Sequence, residues 1–292
     1  IARVMDGYYA AGIRRFTVVV GAHEGTVAEW LTTKWYPDAQ LMFVPQGIQR
    51  GTASGLFAAR PLIDGPFIIT SCDVLIPKEH MPKVRGYFET HPNDAAVLSL
   101  LYAPDEVAQS AGVLLDPQGY VIYISERPTS AHQDFMTALS VYGFQPRILD
   151  YLDKVPVTEE SGERMLTTAI QMLIDDGQFV GAVEAAWRIR VETPDDLRAV
   201  NKRYLAEAGA PGVLSDLPTS VQLTPPVYVD PGVKVGANSK LGPNVYVETG
   251  SIIGANATLE DCLVLGVRVS AGRRVSNEIV SEDQSRPAVI DR

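Results

Sequence analysis

Along residues 1–208 short apolar runs alternate with amphipathic stretches, and from residue 221 that rhythm gives way to a strict period of six. The spacing predicts a helix over Ala2–Ala11, ended by Gly12, and a strand over Phe16–Val20. It then predicts a helix over Thr26–Lys34, a strand over Leu41–Val44, and a helix over Thr52–Ala59 opened by Gly51. A strand over Pro66–Thr70, a helix over His80–Thr90, and strands over Ala95–Leu101, Val113–Leu115 and Val121–Ile124 follow. Strands that are apolar throughout are buried on both faces, and their separation by helices predicts an α/β fold on a mostly parallel sheet. Ligands of such sheets bind at the carboxyl ends of strands, here after Val20, Val44 and Thr70.

In the second part Leu223, Val229, Val235, Leu241, Val247, Ile253, Leu259 and Leu265 recur at every sixth position. Val227, Val233, Ser239, Val245, Ser251, Ala257 and Leu263 stand two residues ahead of them, and Gly follows at 236, 242, 254 and 266. A period of six matches neither a helical turn nor simple strand alternation. It predicts a parallel β-helix in which each hexad forms one side and every sixth side chain points to the axis. The expected division is an α/β domain over 1–208, a linker over 209–220 marked by Gly209, Pro211, Gly212 and Pro218, repeats over 221–280 and a polar tail over 281–292. The chain opens on Ile1 inside a helical pattern, so a preceding segment is expected.

A net charge of −10 disfavours nucleic acid or an anionic membrane surface as partner, yet allows a phosphorylated ligand in a local positive pocket. No apolar run approaches the ~20 residues of a membrane span. Cys72 and Cys262 fall in different expected domains, which argues against a disulfide framework and for a reducing cytoplasm. Few charges on the repeats, with Val264 and Val267 as aliphatic positions, suggest a homo-oligomer assembled through the β-helix.

Three constellations carry candidate chemistry. Gln46 followed by Gly51-Thr52-Ala53 lies at a strand-to-helix junction, where backbone N–H groups can approach an anion and an amide can read a base edge. Thr52 as a plain helix N-cap is the competing reading. Asp73, just past an apolar strand, is placed either to hold Mg²⁺ beside a triphosphate or to cap a turn. Glu126-Arg127-Pro128 leaves a strand in extended form, and its charges serve either a sugar phosphate or a surface ion pair.

Taken in order, these segments resemble the sugar nucleotidyltransferase family, which makes nucleotide sugars from an NTP and a sugar 1-phosphate, over nearly the whole chain. Gly12-Ile13 entering Phe16–Val20 is similar to the family's second strand, Gln46…Gly51-Thr52-Ala53 to its nucleotide-binding loop, and Asp73 to its metal aspartate. Gly112-Val113 with Glu126-Arg127-Pro128 resembles the sugar-phosphate segment, Ser140, Tyr142 and Glu163 the later sugar-site region, and Thr193-Pro194…Leu197…Asn201 the closing helix. The resemblance implies a Rossmann-like nucleotidyltransferase domain followed by a left-handed β-helix of hexapeptide repeats. It also implies Mg²⁺ on Asp73, catalytic roles for Asp73, Arg127 and Arg190, and in-line attack of the sugar phosphate on the α-phosphorus with loss of pyrophosphate.

The chain departs from the family at four places. The glycine-rich loop with its catalytic Arg would lie upstream of Ile1, Arg127 replaces a Lys, and Ser140 replaces a Gly. Arg190 and Glu192 stand where the family carries a second metal Asp and a Gly. A cation in place of a metal carboxylate leaves two readings: a transferase in which Arg190 contacts phosphate directly, or a catalytically silent nucleotide-sugar-binding regulator or scaffold. An acyltransferase tail is disfavoured, because the four histidines, His23, His80, His91 and His132, all precede the repeats. Neither the base nor the sugar is legible in Gln46.

Overall fold

The alternation of apolar runs folds into helix α1 (Ala2–Ala10), strand β1 (Arg15–Val20), α2 (Gly25–Lys34), β2 (Gln40–Pro45), α3 (Thr52–Ala59), β3 (Phe67–Thr70), β4 (Val74–Leu75) and α4 (His80–Thr90). Strands β5 (Ala96–Leu101), β6 (Ala111–Leu115) and β7 (Val121–Glu126) follow, all close to their expected bounds. The computed structural model describes residues 1–21, 24–47, 50–128, 134–158, 161–208 and 212–282, and its residues group into two units, Ile1–Arg188 and Ile189–Arg292. His23, His132, Gly209, Pro211 and the tail beyond Glu282 lie outside the described residues.

Beside the two-residue β4, three longer elements of the first unit lie outside the expected set: β8 (Met136–Phe144), α5 (Leu166–Asp175) and β9 (Val180–Glu184). Strand β8 is central. It runs antiparallel to β3, β5 and β6, while β6 and β7 form an antiparallel hairpin and β5 and β9 run parallel. The six-stranded sheet is therefore mixed, not mostly parallel; β1 and β2 form a separate parallel pair. Apolar periodicity reports burial but carries no direction. The turn between β6 and β7, where the Asp116 carboxylate accepts the N–H groups of Gln118 (2.9 Å) and Tyr120 (2.8 Å), is too tight for a crossover and forces the antiparallel return.

Helix α5 packs on β7 with Leu166, Ala169, Ile170 and Leu173 buried at i, i+3, i+4 and i+7. These residues meet Leu98, Leu100, Phe144, Ile148 and Leu152 in the core between sheet and helices. Fully burying a ring such as Phe144 is worth about 3 kcal/mol.

His80, the first residue of α4, is only 1% exposed, and its Nε2 lies 2.8 Å from Ser99 Oγ on β5. Burial, helped by the Lys83 ammonium, pulls the imidazole down to about 4. Between pH 4 and 6.5 the unfolded chain then binds a proton that the folded chain refuses. This contribution to stability is intact above pH 6.5 and lost as the pH falls towards 4. Allowing for solvent screening, the loss is expected to reach about 2 kcal/mol. Urea midpoints measured across this range should fall with acid in the wild type and flatten in His80→Gln. An equal slope in both proteins would assign the acid sensitivity to another group.

The second unit holds α6 (Pro194–Ala208) and the repeats. At the start of α6, Thr193 and Asp196 cap each other: Thr193 N donates to Asp196 Oδ2 at 2.8 Å, and Asp196 N to Thr193 Oγ1 at 3.2 Å. The repeats stack into three parallel sheets. One contains Val227–Val229, Val245–Val247, Cys262–Leu265 and Ile279–Ser281, and α6 packs on it through an ion pair from Lys202 Nζ to Asp261 at 2.7 Å. Val229, Val235, Leu241, Val247, Ile253 and Leu259 are buried along the axis, as the hexads require.

Two terminal hexad positions depart from that expectation. Leu223 is exposed, and Leu265 is half-buried off the axis. Val229 pairs with Val247 eighteen residues on, Val247 with Val264 seventeen on, and Val264 with Val280 sixteen on. The coil shortens near Asp261, a corner with φ +46°, so the axis continues through Val264, Val269, Val275 and Val280. A strict count of six does not register a shortened corner. Val264 is consequently an interior residue and not part of an assembly surface; Val267 packs partly against the same core. Both cysteines are free, and among the described residues no helix is long and apolar enough to cross a membrane.

Candidate active site

Strand β2 ends at Pro45, and the Gln46 N–H donates to the Val20 carbonyl (2.8 Å), keeping the ends of β1 and β2 together. The Gln46 amide lies over Gly55 of α3: a Cβ there would come within 3.8 Å of Oε1. The cap of α3 is Gly51, with φ +86° and ψ 176°, not Thr52. Its segment is stapled to residues 163–166. Arg164 N donates to Arg50 O (2.8 Å), Ala53 N to Arg164 O (3.0 Å), and Leu166 N to Thr52 Oγ1 (2.9 Å). Thr52 thus ties α3 to the start of α5, and its hydroxyl retains a proton to donate. A Cβ on Gly51 would lie 2.9 Å from Glu163 Cβ, so the nucleotide-loop and sugar-region candidates are neighbours.

At the end of β3, the Ser71 N–H donates to the Ser140 carbonyl (3.2 Å), which sets half-buried Asp73 just beyond the irregular middle of β8. There β8 leaves register with β5: Leu98 faces Tyr142, but Leu100 faces Ala138. Ser140 absorbs the mismatch at φ +54°, a conformation costing a non-glycine residue about 1–2 kcal/mol. That strain is a physical reason for a glycine at this position. Tyr142 is 5% exposed, and burial pushes its phenol above the ordinary range; the Glu126 carboxylate adds to this, while the Ser140 hydroxyl and Arg188 oppose it. The phenol stays neutral and can donate a hydrogen bond.

Glu126 and Arg127 part company. Half-buried Glu126 accepts a bond from Thr167 Oγ1 (3.3 Å). Arg127 is exposed at φ +41°, its N–H bound to the Ser110 carbonyl (2.7 Å). Gly112 is closed off by packing: a Cβ would meet Val107 and Phe135 at 2.9 Å and Pro128 at 3.0 Å. Glu163 is half-buried, with its carbonyl accepting the Thr158 N–H (2.8 Å). Arg190 lies in the second unit, where its Nη2 pairs with Glu192 Oε1 at 2.7 Å.

The first unit therefore gathers Gly51, Thr52 and Glu163 at one junction and Glu126, Ser140 and Tyr142 at another, with the Asp73 strand end tied to Ser140. Arg188, Ser110 and Thr167 were not among the sequence candidates. Arg188 lies two residues before Arg190, within the segment Trp187–Pro194 that ends in the Thr193-Pro194 motif.

A family model described as nucleotidyl transferase matches residues 1–207, and one described as GMPPB C-terminal domain matches residues 223–286. The chain is 25% identical over 169 residues to a "bifunctional protein GlmU" of Methanocaldococcus jannaschii, a match covering 57% of this chain and 38% of that protein. It is 22% identical over 224 residues to the protein of the same description from Methanococcus maripaludis, covering 76% and 51%. The chain thus spans about half the length of these curated relatives, or less. Its fold is similar to a solved UDP-glucose pyrophosphorylase complexed with UDP-glucose, with a TM-score of 0.62 and 13% identity over 70% of this chain and 86% of that one. At that identity the likeness is one of fold.

Proposed function

We propose that this chain, which belongs to the nucleotidyl transferase family, transfers a nucleotidyl group from an NTP to a sugar 1-phosphate, giving a nucleotide sugar and pyrophosphate. The observation carrying this reading is the paired gathering of Gly51, Thr52 and Glu163 with Glu126, Ser140 and Tyr142 at the strand ends beside Asp73.

In this reading Gln46 meets the base and the backbone around Gly51 and Thr52 approaches the nucleotide. Glu126 accepts a sugar hydroxyl, Tyr142 donates to the sugar, and exposed Arg127 reaches the sugar phosphate. The phosphate is already anionic, so no general base is needed; positioning and charge neutralisation supply the acceleration. Among the described residues no group of three or more His, Cys, Asp or Glu side chains could cage an ion. Mg²⁺ commonly takes one or two carboxylates plus substrate phosphates, so Asp73 with the nucleotide's phosphates fits it. When bound, it neutralises charge on the phosphates. A left-handed repeat coil, a cytoplasmic setting and a homo-oligomer belong to the same reading; the exposed Leu214 and Leu223 of the second unit support the last.

Pyrophosphate release from a panel of NTPs and sugar 1-phosphates tests the proposal, with turnover expected for at least one pair. The Arg190–Glu192 ion pair favours the second reading, a silent nucleotide-sugar binder, because it puts a cation where the family carries a metal carboxylate. Binding of a nucleotide sugar without any turnover would establish that reading and overturn the first.

A further inference from the structure

We propose that Arg188 is a positioning residue for the sugar phosphate, locking together the backbone that presents Arg127 and the bulge that presents Ser140 and Tyr142. The proposal rests on the sugar-phosphate reading above. The Arg188 side chain is 10% exposed, and its guanidinium bridges two segments, the helical turn that ends at Ser110 and strand β8. Nη1 donates to Ser110 Oγ at 3.3 Å and approaches the Ala138 carbonyl at 3.5 Å, while Nη2 pairs with the Glu106 carboxylate.

The contacts to Ser110 and Ala138 lead towards the candidate substrate groups. Ser110 Oγ also donates to Ala138 O (3.2 Å), and the Ser110 carbonyl holds the Arg127 N–H (2.7 Å). Ala138 is the last residue of β8 facing Leu100 before the strand bulges at Ser140. One planar fork therefore fixes the distance between β7's end, with Arg127, and the bulge carrying Ser140 and Tyr142. Removing it would free two strained positions, φ +41° at Arg127 and φ +54° at Ser140, to relax independently. Lysine can supply the charge but not the rigid fork, so it should replace Arg188 only in part. Tyr142 feels the Arg188 charge, consistent with this proximity.

The test uses the full chain and the NTP and sugar 1-phosphate pair that the wild type turns over. Arg188→Met should raise KM for the sugar 1-phosphate about tenfold with KM for the NTP within twofold, and Arg188→Lys should recover part of the loss. Ser110→Ala, which removes one anchor and leaves the Arg188–Glu106 ion pair in place, should raise the same KM about threefold and stands as the test if Arg188→Met does not fold. An unchanged sugar-phosphate KM in a folded variant, or equal rises in both KM values, overturns the proposal while leaving the activity in place. A wild type silent with every pair removes the activity, and this proposal with it.

Discussion

Asp73→Asn should cut turnover about 10³-fold while leaving the urea midpoint within experimental scatter. The substitution keeps the shape of the side chain and removes its charge. Asp73 is half-buried in the turn after β3, whose backbone is held by the Ser71–Ser140 hydrogen bond and by pairing with β8, and the substitution leaves those backbone contacts in place. In the transferase reading the carboxylate supplies the protein's anionic hold on Mg²⁺, and the developing phosphate charge then has one stabiliser fewer. Raising Mg²⁺ should recover part of the loss, because the nucleotide's phosphates still bind the ion. Pyrophosphate release at several Mg²⁺ concentrations reads both effects. Wild-type turnover in the variant would remove Asp73 from the chemistry and return it to a turn residue.

Gly51→Ala should destabilise the first unit by about 3 kcal/mol and abolish nucleotide binding. At φ +86° and ψ 176° the backbone occupies a region that side-chain-bearing residues avoid, which alone costs about 1–3 kcal/mol. The added methyl would also fall 2.6 Å from the Arg164 carbonyl oxygen and 3.0 Å from the Arg164 nitrogen. Neither atom can yield cheaply, since one accepts from Ala53 N–H and the other donates to the Arg50 carbonyl. Gly119→Ala is a control at a similar φ, +89°, where nothing lies within 4 Å of the added methyl, so only a backbone cost applies. Urea denaturation of the two variants separates strain from collision, and equal losses would refute the stapled junction as the reason for this glycine.

The regions where sequence reading worked and where it failed differ in kind. Helices α1 to α4, strands β1 to β3 and strands β5 to β7 stand out because each is a local run of apolar side chains with its own turn or glycine at the boundary. Strand β8 mixes Thr137, Ser140 and Gly143 into its run, so its apolar signal is diluted, although it is the strand on which the sheet is organised. Helix α5 carries the same kind of local mark in its i, i+3, i+4, i+7 spacing. Among the candidate residues, Gln46, Gly51, Asp73 and Glu126 mark strand and loop ends that local patterning exposes. Arg188 has no such mark, because its partners Glu106, Ser110 and Ala138 lie 50 to 82 residues away along the chain.

Local patterning in the chain is enough to set an α/β body before a six-residue repeat and to locate the nucleotide and sugar candidates along the body. Side-chain periodicity and turn chemistry are local, and a linear reading captures them. Three features emerge from the folded chain alone: the body sheet is mixed, the repeat axis passes to Val264 when the coil shortens, and Gly51 is required by Arg164 and Glu163. Strand direction, register and close packing depend on which distant segments meet, and no spacing within one segment encodes that.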